Sequence, residues 1–501
     1  MMGPIVDECG VEQGGVNSSD LYKVYNNEQL ATAQESCFGV PLGPLTISAI
    51  GQADDVALIS NDLHSLQGLL DLSLHYCKKY HATLSSSKTK LQVYSAKSSE
   101  MKAFLAQSTS LLNIDGHPIP FSSEAEHVGI VRSVTGNLPH LLSRFVAARK
   151  AMFAILPVGL AKAHLGNPAA NLSAFRTYCI PVLLSGMSAL ALSSAEVNIL
   201  DQHIKVKLQQ LQKLRDKTPH CVVMFLGGQL PGKAVLHLRL LSVFGMICRL
   251  PGTFLNKIAL YQLVSAKSSS GSWFLQIREL CIKYGLPSPM TLIQFPLTKA
   301  RYKSLVKSHV MDFWEVHLRC EAASMRKASL KYFKADYMSL SKPHEIWTTC
   351  GSSPFEINKA VVQAKMLSGR YATDQLSRHW TQNREGLCRI PGCTGQDIGS
   401  LEHLLLFCPA LNEIREKMTI LSLSVACESK VLENIIYMAM NGVTVHKMVQ
   451  FLLDCSSFPA IIHLRQTKDF HSIRRLFYLT RTWCYSLHRS RMTKLGLPQY
   501  I

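Results

Sequence analysis

The sequence has little that would place the chain across a membrane or direct it to secretion. Residues 1–15 contain no basic segment followed by an apolar one, which is the pattern of a secretory signal. The longest uncharged stretch, residues 177–195, is long enough to span a bilayer but contains Pro181, Gly186 and four serines. These residues favour a strand-turn-helix or a broken core helix. We therefore expect an intracellular chain, cytoplasmic or nuclear, that is not secreted and has no membrane partner.

The sequence also lacks a regular cysteine framework, an internal repeat and a long low-complexity segment. Its 15 cysteines are an odd number and follow no common spacing. This argues against a disulfide-stapled secreted scaffold and favours a reducing compartment with most thiols buried. A chain of 501 residues is long enough for about three domains with substantial cores.

Acidic residues are scarce relative to basic ones. The chain has 34 Asp and Glu against 53 Lys and Arg, a formal net charge of +19, and its basic residues recur along the whole length. This balance favours a polyanionic partner, nucleic acid before a membrane surface. Ordinary solvated basic faces are the alternative that charge alone leaves open.

Two adjacent carboxylates, Asp54 and Asp55, lie between short apolar segments at residues 45–50 and 56–59. This pattern predicts a hairpin with both acids at its turn. Two ionised carboxylates about 4 Å apart repel by roughly 4 kcal/mol at an effective dielectric of about 20. Such a pair is typical of a divalent-cation site, although Asp also favours ordinary hairpin turns.

Further segments accompany this hairpin in a definite order. Upstream, Gln13 and Gly14 lie in a glycine-rich turn that precedes a helical run. Downstream, leucines at helical spacing predict an amphipathic helix over residues 62–80. A Lys-Thr turn at Lys88 leads into a predicted strand at residues 91–94, and a strand-turn segment follows at residues 127–130.

The ordered series resembles the palm of a reverse transcriptase of the non-LTR retrotransposon (LINE-like) type. The resemblance implies an RNA-directed DNA polymerase in which Asp54 and Asp55 are catalytic ligands of a two-Mg²⁺ site and deoxynucleoside triphosphates are substrates. Its partners would be an RNA template and an RNA–DNA or DNA duplex. The implied template- and nucleotide-binding residues are Gln13, Gly14 and Gln52, and Lys88 would act near the leaving pyrophosphate. The implied primer-grip residues are His127, Val128 and Gly129.

The chain departs from the family pattern in several places. Gln52 stands where the family has an aromatic residue, and Glu12 and Gly15 stand where it usually has Arg and Asp. The family's fingers and first palm strand, which carries another metal-binding Asp, would precede Gly10. Asp7 lies too close to the Gln-Gly turn to be that residue. We therefore expect a chain truncated before the first palm strand and inactive alone.

Beyond residue 133 the pattern is mostly helical, with helices predicted at residues 138–156, 196–215, 235–249 and 302–333. The helix at 196–215 occupies the family's thumb position, where Lys205, Lys207 and Lys213 would contact nucleic acid. A solvated basic face on a bundle helix is an equally good interpretation. We expect five parts: a partial palm (1–133), a thumb-like helical domain (134–250), a helical connector (251–345), a zinc-knuckle region (346–420) and a C-terminal basic helical segment (421–501).

Cys388, Cys393, His403 and Cys408 form a Cys-x4-Cys-x9-His-x4-Cys pattern. Three thiolates and one imidazole match a closed tetrahedral zinc site, in which the metal is structural because no position is left for substrate. The spacing also resembles the C-terminal Cys-Cys-His-Cys knuckle of LINE-type polyproteins. Chance clustering of these residues remains the alternative.

The predicted fold class is α+β: an incomplete right-hand polymerase palm followed by a mostly α-helical thumb and a C-terminal region with a small zinc knuckle. The predicted function is that of a reverse transcriptase derived from a non-LTR retrotransposon. Two alternatives stay open, a non-catalytic nucleic-acid-binding remnant and a helical interaction protein in which the acidic pair and the knuckle are incidental.

Overall fold

The structure, a computed structural model, describes residues 16–94, 112–155, 166–267, 271–325, 330–378, 385–441 and 444–498. These residues are mostly helical, with a few short antiparallel strand pairs, as the α+β prediction requires. They belong to two compact units. The first comprises Met1–Phe145, Gly186–Glu196 and Leu240–Tyr302, and the second comprises Val146–Ser185, Val197–Arg239 and Lys303–Ile501. The assignment of palm and thumb, and the five-part division, stay predictions.

The described strands all belong to the first unit. In chain order they are β1 (Val40–Leu42), β2 (Leu45–Ile47), β3 (Ala49–Gln52), β4 (Asp55–Leu58), β5 (Asn113–Ile114), β6 (His117–Pro118), β7 (Glu124–His127) and β8 (Ile130–Ser133). They form four separate antiparallel hairpins, each between consecutive strands. The predicted strand at residues 91–94 is wrong as a strand, because Leu91 makes only an isolated bridge with Phe121.

The helices are, in chain order, α1 (Ser18–Glu35), α2 (Leu63–Lys79), α3 (Leu138–Ile155), α4 (Pro168–Ala174), α5 (Ile180–Leu183), α6 (Ser194–Leu211), α7 (His220–Gly227), α8 (Gly232–Cys248), α9 (Phe254–Ser265), α10 (Trp273–Lys283), α11 (Pro289–Gln294), α12 (Lys299–Met325), α13 (Glu345–Thr348), α14 (Pro354–Leu367), α15 (Asp374–Ser377), α16 (Asn412–Ala426), α17 (Lys430–Met440), α18 (Val445–Leu453), α19 (Pro459–Gln466) and α20 (Phe470–Lys494). The predictions at residues 62–80 and 138–156 match α2 and α3 closely.

Helix α2 shows how local sequence sets these elements. Asp62 is its N-cap, and its side chain accepts a hydrogen bond from the Ser65 amide at 2.8 Å, which satisfies one of the free amides of the first turn. Leucines on one face of α2 then enter a core with residues that follow it in the chain. The buried members of this core are Leu63, Leu70, Leu91, Leu112, Ile114 and Ile119.

The uncharged stretch at residues 177–195 is a broken helix, one of the two forms expected. A π-helical turn at Phe175–Cys179 leads into the single turn α5, and the chain then reverses at Gly186 with φ of 76°. In the described residues no single helix is long and apolar enough to cross a bilayer. By length and composition alone, the bent pair α7 and α8 passes the same test.

The second unit is organised around α14 and α20, which pack against each other. Helix α20 also packs on α16, α18 and α19. From Lys359 to Ser368 every residue but Lys365 is buried, so α14 is a central helix of this unit. Gln363 in its middle donates hydrogen bonds to the Leu452 carbonyl at 2.9 Å and the Thr480 hydroxyl at 3.0 Å.

Candidate metal centre

The first two predicted zinc ligands lie on a small loop closed by backbone hydrogen bonds. The Cys388 amide donates to the Asp397 carbonyl at 2.9 Å, and the Gly399 amide donates to the Gly386 carbonyl at 2.8 Å. Gly399 must be glycine, because an added Cβ would lie 2.6 Å from the Cβ of Asp374. These contacts hold the two ends of the loop together at Cys388.

A tight turn then places the second thiol. The Cys393 amide donates to the Ile390 carbonyl at 3.0 Å, and Gly392 between them has φ of 89°. With Pro391 before Gly392, this is the sequence and geometry of a type II turn. The turn folds the chain back so that Cys393 joins Cys388 on one side of the loop.

The other two ligands are presented by a π-helical turn at His403–Phe407. In an α-helix, residues five positions apart point about 140° away from each other. Here the Cys408 amide bonds instead to the His403 carbonyl at 2.7 Å, a wider i to i+5 turn that brings both residues to one side. The hydroxyl of Ser400 accepts a hydrogen bond from the His403 amide at 3.1 Å and so caps this segment.

The four side chains converge. Their ligand atoms all lie within 4.8 Å of one another, with 3.9 Å between the sulfurs of Cys388 and Cys408 and 3.5 Å from the Cys393 sulfur to His403 Nε2. A tetrahedral ion with Zn–S near 2.3 Å and Zn–N near 2.0 Å requires S···S of about 3.8 Å and S···N of about 3.5 Å. The donor set and its spacing therefore fit one Zn²⁺, and the spacing prediction is confirmed as a possible zinc site.

A backbone amide contacts each of the three thiols. The amides of Ile390, Gly395 and Ala410, each two residues after a cysteine, hydrogen-bond the three sulfurs. The pKa of Cys388 is raised to about 12, chiefly by burial, and the Ile390 amide opposes this rise. For Cys393, burial raises the pKa, but the Gly395 amide and the neighbouring thiols outweigh it and the net pKa is lowered.

His403 is oriented to bind a metal through Nε2. Its side chain is buried, and burial lowers its pKa, which favours the neutral imidazole that a metal requires. Nδ1 faces the carboxylate of Asp397 at 3.8 Å. A carboxylate behind a ligating histidine fixes its tautomer and ring orientation.

The loop at residues 386–399, which carries Cys388 and Cys393 and is called the metal loop below, is anchored to the rest of its unit by an ion-pair network. The buried carboxylate of Asp374 accepts from Arg389 Nε at 2.8 Å, and Arg491 of α20 lies 3.6 Å from its second oxygen. Arg491 also donates to the Ala372 carbonyl at 2.8 Å. The sequence pattern did not reveal these supporting residues, because their partners lie up to 119 positions away.

The acidic pair lies at the tip of a hairpin, as predicted. Gln52 pairs with Asp55 in the β3–β4 register, and Ala53 and Asp54 form the two-residue turn with φ of 53° at Ala53. Both aspartates are exposed. In the described residues no third His, Cys, Asp or Glu joins them in a cluster that could hold a metal, so a two-Mg²⁺ site is not supported there.

The other residues assigned from the resemblance are placed as follows. Lys88 is exposed in a turn that the Thr89 amide closes on the Ser85 carbonyl at 3.0 Å. Val128 and Gly129 form the turn between β7 and β8, with His127 opposite Ile130. Gln13 and Gly14 lie outside the described residues.

The three thumb lysines do not share one helical face. Lys205 and Lys207 both lie on α6, but two positions along an α-helix turn the side chain by about 200°. Lys213 lies beyond the end of α6 at Leu211, in a left-handed conformation with φ of 54°. The predicted helix over residues 196–215 is therefore too long at its C-terminus.

Comparisons with known proteins do not identify the chain. No protein-family model matches the sequence, and a search of curated proteins finds no significant relative.

Proposed function

We propose that the chain is a nucleic-acid-binding protein derived from a LINE-like reverse transcriptase, with a structural zinc site in its C-terminal region. The observation that carries this proposal is the convergence of Cys388, Cys393, His403 and Cys408 at tetrahedral ligand distances. All four positions are protein ligands, so a bound Zn²⁺ would hold the fold together and leave no open position for substrate. The net charge of +19 and the ordered palm-like motifs supply the nucleic-acid part of the proposal.

The zinc site is tested by metal content and local protection. We expect about one Zn²⁺ per purified chain. A Cys393→Ser, Cys408→Ser double variant should hold none above background, because the loop that carries Cys393 and the π-helical turn that precedes Cys408 each lose a ligand. Chelation should expose amides 386–408 to hydrogen exchange while the α14 amides stay protected, since structural zinc contributes local folding energy. The matched control is Cys427→Ser, which removes an exposed thiol. Unchanged zinc in the double variant would place the metal elsewhere.

Nucleic-acid binding is tested by its salt dependence. We expect single-stranded RNA and RNA–DNA duplex to bind with little sequence preference, because phosphate contacts dominate such interfaces. The logarithm of affinity should fall linearly with the logarithm of salt, with a slope of about −0.7 per phosphate on single strands and about −0.9 on B-DNA. No binding at low salt would refute the proposal and favour a helical interaction protein.

A second candidate is RNA-directed DNA polymerase activity with deoxynucleoside triphosphates as substrates. The β3–β4 hairpin favours it, because Asp54 and Asp55 are exposed at the tip of a two-residue turn as the resemblance requires. We rank it second because no third carboxylate joins them within the part of the chain that the structure describes.

A further inference from the structure

The first unit contains an open cavity of about 370 Å³ that is walled by three separate parts of the chain. Arg132 of β8 and Asn137, just before α3, form one wall, and residues 189–191 form the second. Gln262 of α9 and the first residues of α10 form the third. Small-molecule sites typically have volumes of about 300–1,000 Å³, so this cavity is large enough for one nucleotide.

Trp273 gives the cavity a rigid aromatic wall. Its indole Nε1 donates a hydrogen bond to the Ser188 carbonyl at 3.0 Å. Its ring also meets the buried Phe274 ring edge-on, with 5.1 Å between the two centroids. Trp273 itself is only partly buried. A ring held in this way can stack with a planar heterocycle at a low cost in side-chain entropy.

Two side-chain amides that line the cavity each keep one polar group unpaired within the described residues. Asn137 donates from Nδ2 to the Ala191 carbonyl at 3.0 Å, which leaves its Oδ1 as an acceptor. Gln262 accepts at Oε1 from the Ser272 hydroxyl at 2.7 Å, which leaves its Nε2 as a donor. One acceptor and one donor on opposite walls are suited to the polar edge of a heterocyclic base.

Arg132 is the one charged residue among the described residues that line the cavity. In the β7–β8 register it lies opposite Ala125, so the two glutamates of β7 point to the other face of the hairpin. Glu196, which contacts Asn137, already accepts from the Asn137 amide at 2.9 Å and from the Ser193 amide at 2.7 Å. Arg132 is therefore partly buried without a carboxylate partner in the described part of the chain, and an anionic ligand would compensate its charge.

We propose that this cavity binds one unpaired nucleotide of a single-stranded nucleic acid, with a phosphate at Arg132 and the base stacked on Trp273. A guanidinium matches two phosphate oxygens at once, and stacking on an aromatic ring tolerates any base. The unpaired groups of Asn137 and Gln262 would contact the polar edge of the base. A free nucleotide has the same chemistry, so the assignment to nucleic acid rests on the proposed function.

The first test maps the position of an unpaired base. The full chain is bound to a short oligouridylate that contains one 4-thiouridine, irradiated with long-wavelength ultraviolet light and digested for mass spectrometry. We expect the cross-link at Trp273 and not at Phe295, an exposed aromatic residue of the same unit. An RNA–DNA duplex in which the 4-thiouridine is paired should not cross-link there, because taking a paired base out of its stack costs free energy. No cross-link at Trp273, or an equal one from the duplex, would overturn the site.

The second test separates the phosphate contact from the stacking contact. Arg132→Gln should weaken binding of the oligouridylate about tenfold or more and flatten the salt slope by about 0.7, the value for one lost phosphate contact on a single strand. Trp273→Leu should weaken binding by about five- to a hundredfold with the slope unchanged, because it removes stacking and no charge. The matched control is Arg278→Gln, a partly buried arginine of α10 that does not line the cavity, and it should change neither quantity.

Trp273→Phe covers the case in which the leucine variant disturbs α10. It keeps an aromatic ring and should retain affinity within a few-fold of wild type. A loss in Trp273→Phe as large as that in Trp273→Leu, with the salt slope of Arg132→Gln unchanged, would overturn the proposal.

The last comparison separates the cavity from the proposed function. If the chain binds the oligouridylate but Arg132→Gln and Trp273→Leu bind it as wild type does, the cavity proposal fails and the proposed function stands. The second probe is 4-thiouridine 5′-monophosphate alone. If it cross-links to Trp273 in wild type and not in Arg132→Gln while the chain binds no RNA, the cavity takes a free nucleotide. The assignment to nucleic acid then fails together with the proposed function.

Discussion

Val128 has a backbone conformation that a β-branched residue seldom adopts. It occupies the first turn position between β7 and β8 with φ of 52°, and Gly129 follows with φ of 71°. Two left-handed residues in succession make a type I′ turn, for which Asn-Gly is the favoured pair. The Val128 side chain is 50% exposed, so it gains little from burial. The left-handed backbone conformation of Val128, a residue expected in the primer grip, therefore has a local energetic cost.

We predict that Val128→Asn stabilises the β7–β8 hairpin by about 1 kcal/mol, because asparagine adopts the left-handed region more readily. The measurement is amide hydrogen exchange over residues 124–133. Gly129→Ala is the opposing control. An added Cβ at this position meets no atom within 4 Å, so any loss of protection from hydrogen exchange would come from backbone strain. Reduced protection in Val128→Asn would contradict the assignment of strain to this residue.

At the scale of elements, α20 combines a long buried face with polar side chains that bind distant backbone. Arg481 donates to the Thr349 carbonyl at 2.8 Å, and His488 Nδ1 lies 2.7 Å from the hydroxyl of Tyr371. Buried polar groups are tolerated when they are hydrogen-bonded in this way, and the bonds fix the register of the helix against its neighbours. This helix therefore supports the metal loop, which Arg491 ties to it through Asp374.

The titration of His488 should make the stability of the second unit pH-dependent. Burial, together with Arg491 and Lys365, lowers its pKa to about 4. Between pH 6.5 and 4 the unfolded chain binds the proton and the folded chain does not, so stability falls as the pH falls through this range. We predict that His488→Gln reduces this loss by up to about 3 kcal/mol.

The measurement is urea denaturation of wild type and variant at a series of pH values from 7 to 4. His471→Gln, an exposed change on the same helix, should follow the wild-type pH profile. A His488→Gln profile parallel to wild type would show that this buried imidazole does not account for the acid sensitivity.

At the scale of the whole molecule, the excess of positive charge and the acidic hairpin point to different activities. A net charge of +19 favours phosphate contacts without base readout. Polymerase chemistry would instead need several carboxylates around a metal, and the described residues place only Asp54 and Asp55 at the hairpin tip. Binding without synthesis is the behaviour we expect.

We therefore predict no template-dependent primer extension by the purified chain on a homopolymer RNA with Mg²⁺ or Mn²⁺. Two adjacent carboxylates alone position the metals and stabilise developing charge poorly, and phosphoryl transfer depends on both effects. The comparison is wild type against Asp54→Asn. Robust synthesis that Asp54→Asn abolishes would establish the polymerase candidate in place of the first proposal.

Local features of this protein could be derived from its sequence because their causes are local. The β3–β4 hairpin follows from apolar segments around a turn, and α2 follows from leucine periodicity after the Asp62 cap. The spacing of cysteines and histidine likewise predicted the four residues that converge at the candidate metal centre. In each case the determining contacts lie within a few residues or one short loop.

The tertiary structure decided what depends on contacts between distant segments. Sequence periodicity predicted a helix over residues 196–215, whereas α6 ends at Leu211. Beyond this end Lys213 adopts a left-handed backbone conformation, in a segment whose Arg215 carbonyl accepts a hydrogen bond from the Gln209 side chain. The same holds for Asp374, whose carboxylate binds Arg389 of the metal loop and Arg491 of α20. No local sequence pattern predicts such contacts, because the burial of these side chains and the interactions between their charges arise only when packing brings distant segments together.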